Sequence, residues 1–524
     1  MASLNQIKHI VVLMLENRSF DSMLGWLYWP QNPPPFNEPP ASGSFEGVWE
    51  QPHSNPSLSQ PPVSVPVGQT TDPTVPYPDP GEPYQDVYAQ EYGQHDVPPL
   101  CEVPTEPGDP NMLGFLYNYT EQCKKAEANT NPNIIMDGFT SATVPVLWSL
   151  GFNYAICDHW FSSIPTQTYC NRSYLHAGTS SGYVNNKVGD VFLFDNHTPT
   201  IFNVMSEANK SWKIYCCSWK VTSVNFLTQA KIRDTVLSEN WGHLDEFLAA
   251  AKKKDGLPQY SFIEPIYMDS IIWGAQNDMH PEAWPWWLHL QGLSNVEKGE
   301  RLLYMVYNAV RNSPDWDSTL LLILFDEHGG TYDHVWPPTS RVSPSSPNYC
   351  PFAISPDGVV IPPSQPGGSG FNFDRLGVRV PAIVVSPYTA QKTVINTTFD
   401  HTSALSTIIN CFGLPPGQLG LRQQKAPDIS AALNLDAART DFPLIPVPKG
   451  WDPSLGMKLA TAADALLHAR AKPLSDLQKT ILLGVAQRLG LPAALLQEAS
   501  QVTNALEADV FLTKVEAELL LKKL

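Results

Sequence analysis

Ile7-Lys8-His9-Ile10-Val11-Val12-Leu13-Met14-Leu15-Glu16-Asn17-Arg18-Ser19-Phe20-Asp21 is the stretch from which the fold is read. The apolar run from Ile7 to Leu15 reads as a buried strand. It ends in a carboxylate and an amide side by side. In an open α/β sheet the carboxyl ends of the strands are where ligands bind. Glu and Asn supply hard oxygen ligands, suited to a divalent cation and poor for a nucleotide base. A second run, Thr319-Leu320-Leu321-Leu322-Ile323-Leu324-Phe325, ends in Asp326-Glu327-His328-Gly329-Gly330. Two strands far apart in sequence thus each deliver a pair of oxygen ligands, and together they outline a metal site.

Working outward, four further apolar runs predict strands: Phe152 to Cys157, Trp212 to Cys216, Tyr260 to Ile266 and Val380 to Ser386. Helical patterns lie between them, at Pro145 to Gly151 and at Ser294 to Asn312, where Leu302, Leu303, Val306, Tyr307 and Val310 recur at helical spacing. Strands alternating with helices predict an α/β fold with a mostly parallel sheet covered on both faces. A proline-dense excursion follows the first strand, over about residues 29–110. It is irregular, because proline fixes φ and removes a donor. Its Trp, Phe and Tyr residues predict an ordered wrap around the rim of the site. The catalytic unit is assigned to residues 1–445, and residues 446–524 to a small C-terminal helical region. In that region Asp476 to Leu489 and Ala493 to Leu521 read as helices, broken at Gly490-Leu491-Pro492. Their apolar stripe is expected to pack on the main domain or on a second subunit, a route to a homo-oligomer.

With 524 residues and 43% hydrophobic content, the chain can bury a large core. A net charge of −18 argues against nucleic acid as a partner and against electrostatic docking on anionic lipid. No apolar stretch reaches the roughly 20 residues that span a bilayer. Met1 to Gln6 leads straight into the first strand without a basic n-region, which predicts a soluble chain, cytoplasmic by default, with export by another route left open. The eight cysteines are too scattered for a disulfide scaffold. Cys157, Cys216 and Cys217 are expected as reduced core thiols, while a Cys101–Cys123 pair is left open.

Between the two ligand-bearing strand ends lies Phe161-Ser162-Ser163-Ile164-Pro165-Thr166-Gln167-Thr168-Tyr169-Cys170-Asn171-Arg172. A hydroxyl in such a segment becomes a nucleophile when a cation lowers its pKa. Arg172 offers a bidentate fork for phosphate oxygens. In Asn277-Asp278-Met279-His280-Pro281, His280 can protonate a leaving group or hold a phosphoryl oxygen. His334 and His401 each follow an Asp, a step that serves equally to orient an imidazole for catalysis or to build a cap or supporting pair.

The ordered series Glu-Asn-Arg-Ser-Phe-Asp from Glu16, Thr-x-x-Asn-Arg from Thr168, Asn-Asp-x-His-Pro from Asn277 and Asp-Glu-His-Gly-Gly-x-Tyr-Asp-His from Asp326 resembles the phosphoesterase family. That family holds the phosphatidylcholine-hydrolysing and non-specific phospholipases C and related bacterial acid phosphatases. Met136-Asp137-Gly138-Phe139, Tyr174-Leu175-His176 and the segment from Phe373 to Pro381 add to the match, which runs from about Ile7 to Leu433. The resemblance implies an alkaline-phosphatase-like α/β sandwich. It implies one divalent metal ion (Ca, Mg, Mn, Zn or Fe) held by Glu16, Asn17, Thr168, Asp326 and Glu327. Thr168 would be the nucleophile and His280 a contact to the phosphoryl group or leaving oxygen, with His334 and His401 as further candidates.

Two positions depart from the family's pattern. Cys170 stands where relatives commonly have Pro before Asn-Arg, and Glu82 follows Asp79-Pro80-Gly81 where many relatives carry His. The resulting expectation is a metal-dependent phospholipase C acting on phospholipid diesters through a phosphothreonine. Its alternatives are an acid phosphatase for soluble monoesters and an inactive binding module that keeps the fold. Trp273, Trp284, Trp286 and Trp287 are the candidates for a lip that meets a membrane or micelle surface, against the alternative of plain core packing.

Overall fold

The computed structural model describes residues 4–93, 109–186, 194–270, 272–281, 295–355, 371–452, 474–491 and 493–521. Its centre is an eight-stranded sheet. In chain order the strands are β1 (His9–Leu15), β2 (Ala155–Cys157), β3 (Trp212–Cys216), β4 (Trp241–His243), β5 (Tyr260–Glu264), β6 (Thr319–Phe325), β7 (Ala382–Val385) and β8 (Thr393–Ile395). The spatial order is β8-β2-β7-β6-β1-β5-β3-β4. All neighbours pair in parallel except around β7, which runs against both β6 and β2.

Every residue of β1 and β6 is buried, the pattern of central strands covered on both faces. One helical layer is formed by α1 (Pro145–Asn153), α4 (Leu244–Ala251) and α5 (Val296–Arg311), with α5 touching both of the others. A second contains α2 (Thr168–Ala177), α3 (Ile201–Glu207) and α6 (His401–Phe412). This is the predicted α/β sandwich. On α5 the predicted stripe, Leu302, Leu303, Val306, Tyr307 and Val310, is the buried face. Each such apolar side chain contributes about 1.5–3 kcal/mol on full burial.

Several boundaries differ from the sequence reading. Phe152 and Asn153 finish α1 rather than start β2: Pro145 opens a helix whose last turn keeps both residues. Residues 380–386 form a shorter strand, and an antiparallel one. The run from Ala493 to Leu521 is two helices, α8 (Ala493–Gln501) and α9 (Ala505–Leu521). They part where Asn504 Oδ1 accepts from the Glu507 N–H and the Glu507 carboxylate accepts from Thr503, a local cap that competes with helix continuation. The short edge strands β4 and β8 carried no apolar run long enough to read.

The C-terminal helices lie on this chain. From α7 (Asp476–Arg488), Leu477, Ile481, Leu482 and Val485 are buried in the main core, as are Phe511, Leu512 and Val515 of α9. Cys157, Cys216 and Cys217 are buried free thiols as expected; Cys123 is also free, and Cys101 lies outside the described residues. Among the described residues no helix is long and apolar enough to cross a membrane.

Candidate active site

The site follows from the register of β1 on β6. Leu15 pairs with Phe325, so the next residues on each strand, Glu16 with Asp326 and Asn17 with Glu327, leave the sheet at one level. The Asn17 N–H donates to Asp326 Oδ1 at 3.1 Å, and the Arg18 N–H to the Glu327 carbonyl at 3.0 Å. All four ligand candidates are fully buried. Asn17 has φ +55, and opposite it Gly329 has φ +61. A Cβ on Gly329 would stand 2.1 Å from the Asn17 carbonyl oxygen, so only glycine permits the two strand ends to meet.

Thr168 is brought in by α2, of which it is the first residue. Its Oγ1 donates to Glu16 Oε2 at 3.0 Å. Asn171, one turn on, fastens the loop ahead of it. Its Nδ2 donates to the Ile164, Thr166 and Gln167 carbonyls, and its Oδ1 accepts from the Ile164 N–H. The Tyr169 N–H is capped by Asn186 Oδ1 at 2.9 Å. Thr168 thus sits at the positive end of a ten-residue helix, a favourable place for developing negative charge. Cys170 is buried within α2, and the departure from proline leaves the helix start intact.

Arg172, read from the sequence as a fork for phosphate oxygens, pairs in the structure with the acids of the site, while its Nη1 is buried with no hydrogen-bond partner among the described residues. Its Nη2 pairs with Glu16 Oε1 at 2.5 Å and donates to the Met14 and Leu15 carbonyls, while Nε donates to Asp326 Oδ2 at 3.2 Å. It is a buried counter-ion that holds two carboxylates in place. Burial opposes its charge, but Glu16, Tyr267 and Asp326 outweigh that and push its pKa up.

One arginine does not balance the acids gathered here. Burial pushes the Glu16 and Glu327 carboxyls well above the usual carboxylate range, and the nearby Asp326 adds to it for both. Asn17 Oδ1 and Glu327 Oε1 are buried with no hydrogen-bond partner among the described residues. Buried acceptors without a donor are costly, by roughly 1–3 kcal/mol each and more when charged. Carboxylate, amide and hydroxyl oxygens, the donor types of Glu16, Asn17, Thr168, Asp326 and Glu327, are those a divalent cation takes.

The three histidines part company. His280 reaches the site's rim: its Nδ1 lies 2.6 Å from the Pro281 carbonyl and Nε2 lies 3.4 Å from Glu82 Oε1. Glu82 in turn accepts from Asn17 Nδ2. His401 stands behind Asp326, accepting from Trp160 Nε1 at 3.2 Å through Nδ1 and donating to the Asp326 carbonyl at 2.6 Å through Nε2. Both nitrogens are occupied and burial lowers its pKa, so the catalytic role considered for His401 gives way to a supporting one. His334 belongs to a second buried network: its Nδ1 is 2.7 Å from Asp21 Oδ2, and Arg379 pairs with Asp21 and with Asp333 at 2.9 Å each. That network braces the turn after β1, and His334 too becomes a support.

Several site residues escaped the sequence reading. Glu82, noted there as a departure, and Asp79 are carried in by the proline-rich excursion. Asp278 accepts from the Glu16 N–H through its carbonyl and from the His280 N–H through Oδ1. Asp79 and Glu82 carried a sequence signal as the Asp79-Pro80-Gly81-Glu82 motif, and Asp278 as part of Asn-Asp-x-His-Pro, though none was assigned a role there. Trp273 stacks on His243 at 4.5 Å and meets Trp219 edge-on, which is packing; Trp284, Trp286 and Trp287 lie outside the described residues.

Comparison with known proteins gives the chain's family and relatives. The sequence profile of the Phosphoesterase family matches residues 7–415. Non-specific phospholipase C3 of Arabidopsis thaliana is 34% identical over 474 residues, covering 87% of this chain and 79% of that protein. Non-specific phospholipase C4 of the same plant is 34% identical, covering 83% of this chain and 73% of its own. Phospholipase C A of Mycobacterium tuberculosis is 28% identical, with 82% and 78% covered.

Proposed function

The chain belongs to the phosphoesterase family and is a phosphoric ester hydrolase, and from that premise we propose that it cleaves phospholipid phosphodiesters of the phosphatidylcholine type through a phosphothreonine on Thr168. One observation carries this reading: Thr168 Oγ1, at a helix N-terminus, donates to Glu16 Oε2 at 3.0 Å beside the buried acids of two strand ends.

Glu16, Asn17, Thr168, Asp326 and Glu327 would hold one divalent ion. When bound, it supplies a lowered hydroxyl pKa at Thr168 and neutralises charge on the phosphoryl oxygens. Glu16 Oε2 is placed to accept the Thr168 hydroxyl proton as Oγ1 attacks phosphorus. Arg172 keeps Glu16 and Asp326 oriented during the attack. The bond from phosphorus to the alcohol oxygen then breaks. The departing oxygen leaves on the His280 side as the alcohol, taking the proton that Nε2 and Glu82 Oε1 hold between them. The attacking water later restores that proton, while Glu16 returns its own to Thr168. Water hydrolyses the phosphothreonine and returns Thr168 to its hydroxyl form.

The relatives favour a diester over a monoester: the similar proteins at 28% and 34% identity are phospholipases C. The complete set around Thr168 likewise favours an active enzyme over a binding module.

A three-substrate panel tests the reading: p-nitrophenyl phosphate, p-nitrophenyl phosphorylcholine and phosphatidylcholine, each with added divalent metals. The diesters should turn over faster than the monoester, and exhaustive chelation should abolish activity. Preference for the monoester would overturn the substrate class, and full activity in the metal-free protein would overturn the ligand assignment.

A further inference from the structure

We propose that Arg18 is a positioning residue for His280, setting the peptide plane from which the imidazole projects toward the leaving oxygen. This rests on the proposed reading of His280 as the group on the leaving side, and adds what aims it.

The backbone ahead of His280 is held in a conformation it would not adopt alone. Met279 has φ +74, in the left-handed region that L side chains rarely enter. Both polar ends of the peptide that follows it are gripped. Arg18 Nε donates to the Met279 carbonyl at 2.7 Å, and the His280 N–H donates to Asp278 Oδ1 at 3.0 Å. A peptide unit is planar, so a bond at each end fixes the plane and with it the first atoms of His280. A right-handed Met279 would swing its carbonyl off Arg18 and carry the imidazole away from Glu82 Oε1, which lies 3.4 Å from Nε2. Asn277 pins the base of the same loop: its N–H donates to the Ile266 carbonyl at 3.1 Å, and its Oδ1 accepts from the Ile266 N–H at 2.6 Å. The loop is closed at its base by Asn277 and aimed at its end by Arg18.

Arg18 also reaches the partner of His280. Its buried guanidinium lies over the Phe139 ring, 5.5 Å from the centroid, and Nη1 donates to the Val75 carbonyl at 2.8 Å. The rigid fork thus places one donor on the His280 loop and one on the excursion that carries Glu82. Both halves of the His280–Glu82 pair are referred to one side chain. Gly299, near the start of α5, is the second support. The Met279 side chain is buried against it, and a Cβ there would stand 2.3 Å from Met279 Cγ. Glycine is a poor helix former, and in α5 its use is the room it leaves for this side chain. Arg18 holds the Met279 carbonyl from one side, and Gly299 admits its side chain from the other.

Leaving-group dependence, measured on the full chain with divalent metal, tests the assignment. p-Nitrophenolate departs without a proton, whereas the alkoxide of a diacylglycerol needs one, so aiming the proton donor matters chiefly for the second. Release of each alcohol is followed in single turnover, with enzyme in excess, from p-nitrophenyl phosphorylcholine and from a short-chain phosphatidylcholine. Arg18→Met should slow diacylglycerol release at least about tenfold more than p-nitrophenol release. Gly299→Ala, which favours the helix but displaces Met279, should be selective in the same sense. Equal losses on the two substrates in both variants, or no loss in either, would overturn the role of Arg18 and leave that of His280 standing. His280→Asn is the control for the underlying reading and should be at least as selective as Arg18→Met. Equal losses there would overturn the leaving-side role of His280 instead. Circular dichroism separates a misaimed loop from a lost fold. If Arg18→Met does not fold, Gly299→Ala decides alone: a selective loss supports the assignment and an equal loss overturns it.

Discussion

Gln478 Nε2 donates to Gln276 Oε1 at 3.0 Å and to the Tyr267 carbonyl at 2.8 Å, tying a helix near the C-terminus to the loop that carries His280. Gln276 passes the connection on, its Nε2 donating to both oxygens of Asp278 at 2.9 and 3.0 Å. Asp278 in turn fixes the backbones of Glu16 and His280. On the other flank Thr480 meets the hydroxyl of Tyr169, the residue after Thr168, at 3.1 Å. The C-terminal region, read from the sequence as an appendage, is the back wall of the site.

Gln478→Ala should therefore lower both stability and turnover. It leaves the buried Gln276 and Tyr267 acceptors without this donor, at a cost of about 1–3 kcal/mol. Urea denaturation measures the first effect. The second should show as a fall in kcat larger than the change in KM, since Gln478 supports the catalytic loop and touches no substrate group. An unchanged kcat would reduce the contact to simple docking.

Thr168→Ala should remove turnover by at least about a thousandfold while the thermal melt falls only modestly, because the change deletes one buried hydroxyl and one methyl group. Thr168→Ser should keep measurable activity. Steady-state assays on p-nitrophenyl phosphorylcholine decide it, and near-normal activity in Thr168→Ala would remove the nucleophile assignment.

Gly329→Ala should damage the site from within the backbone. The added carbon meets the Asn17 carbonyl oxygen at 2.1 Å and must adopt φ +61, a strain of about 1–3 kcal/mol. Metal uptake should weaken more than global stability, because Asn17 is displaced first. Calorimetric titration beside a thermal melt compares the two.

Arg379→Ala should destabilise the protein strongly. The side chain is buried between Asp21 and Asp333, and its loss leaves Asp333 without its counter-ion and Asp21 with His334 alone. Breaking a buried pair in this way costs about 3–5 kcal/mol. Urea midpoints for Arg379→Ala and for Asp333→Asn/Arg379→Met test it, the second variant recovering part of the loss.

A pH dependence follows from His159, which pairs with Asp158 at 2.8 Å and Glu46 at 2.9 Å. Burial opposes its charge, yet hydrogen bonds to these carboxylates push its pKa up to about 9. The unfolded chain binds that proton with a pKa near 6.5. The stabilisation is thus complete below about 6.5 and is lost as pH rises through about 9. The stability advantage of wild type over His159→Gln should shrink across that window. An advantage that grows with pH would contradict the pairing.

The sequence alone determined the parts that depend on local pattern. A short apolar run bounded by polar residues reads as a buried strand, and β1, β3 and β6 lie where those runs predict them, whereas the run from Phe152 began inside a helix. The polar residues that end those runs had to emerge at the carboxyl edge of the sheet. Glu16, Asn17, Asp326 and Glu327 were therefore legible before any coordinates.

What tertiary structure decided was pairing at a distance. Only the Leu15–Phe325 register makes the two ligand pairs neighbours. His280, His334 and His401 look alike in sequence, yet packing sends one to the rim of the site, one to an Arg379 network and one behind Asp326. Glu82 looked like a missing contact until the excursion closed over Asn17 and His280. Spacing along a chain fixes which face a side chain takes, but a buried charge takes its role from partners hundreds of residues away, and those are set by how the layers pack.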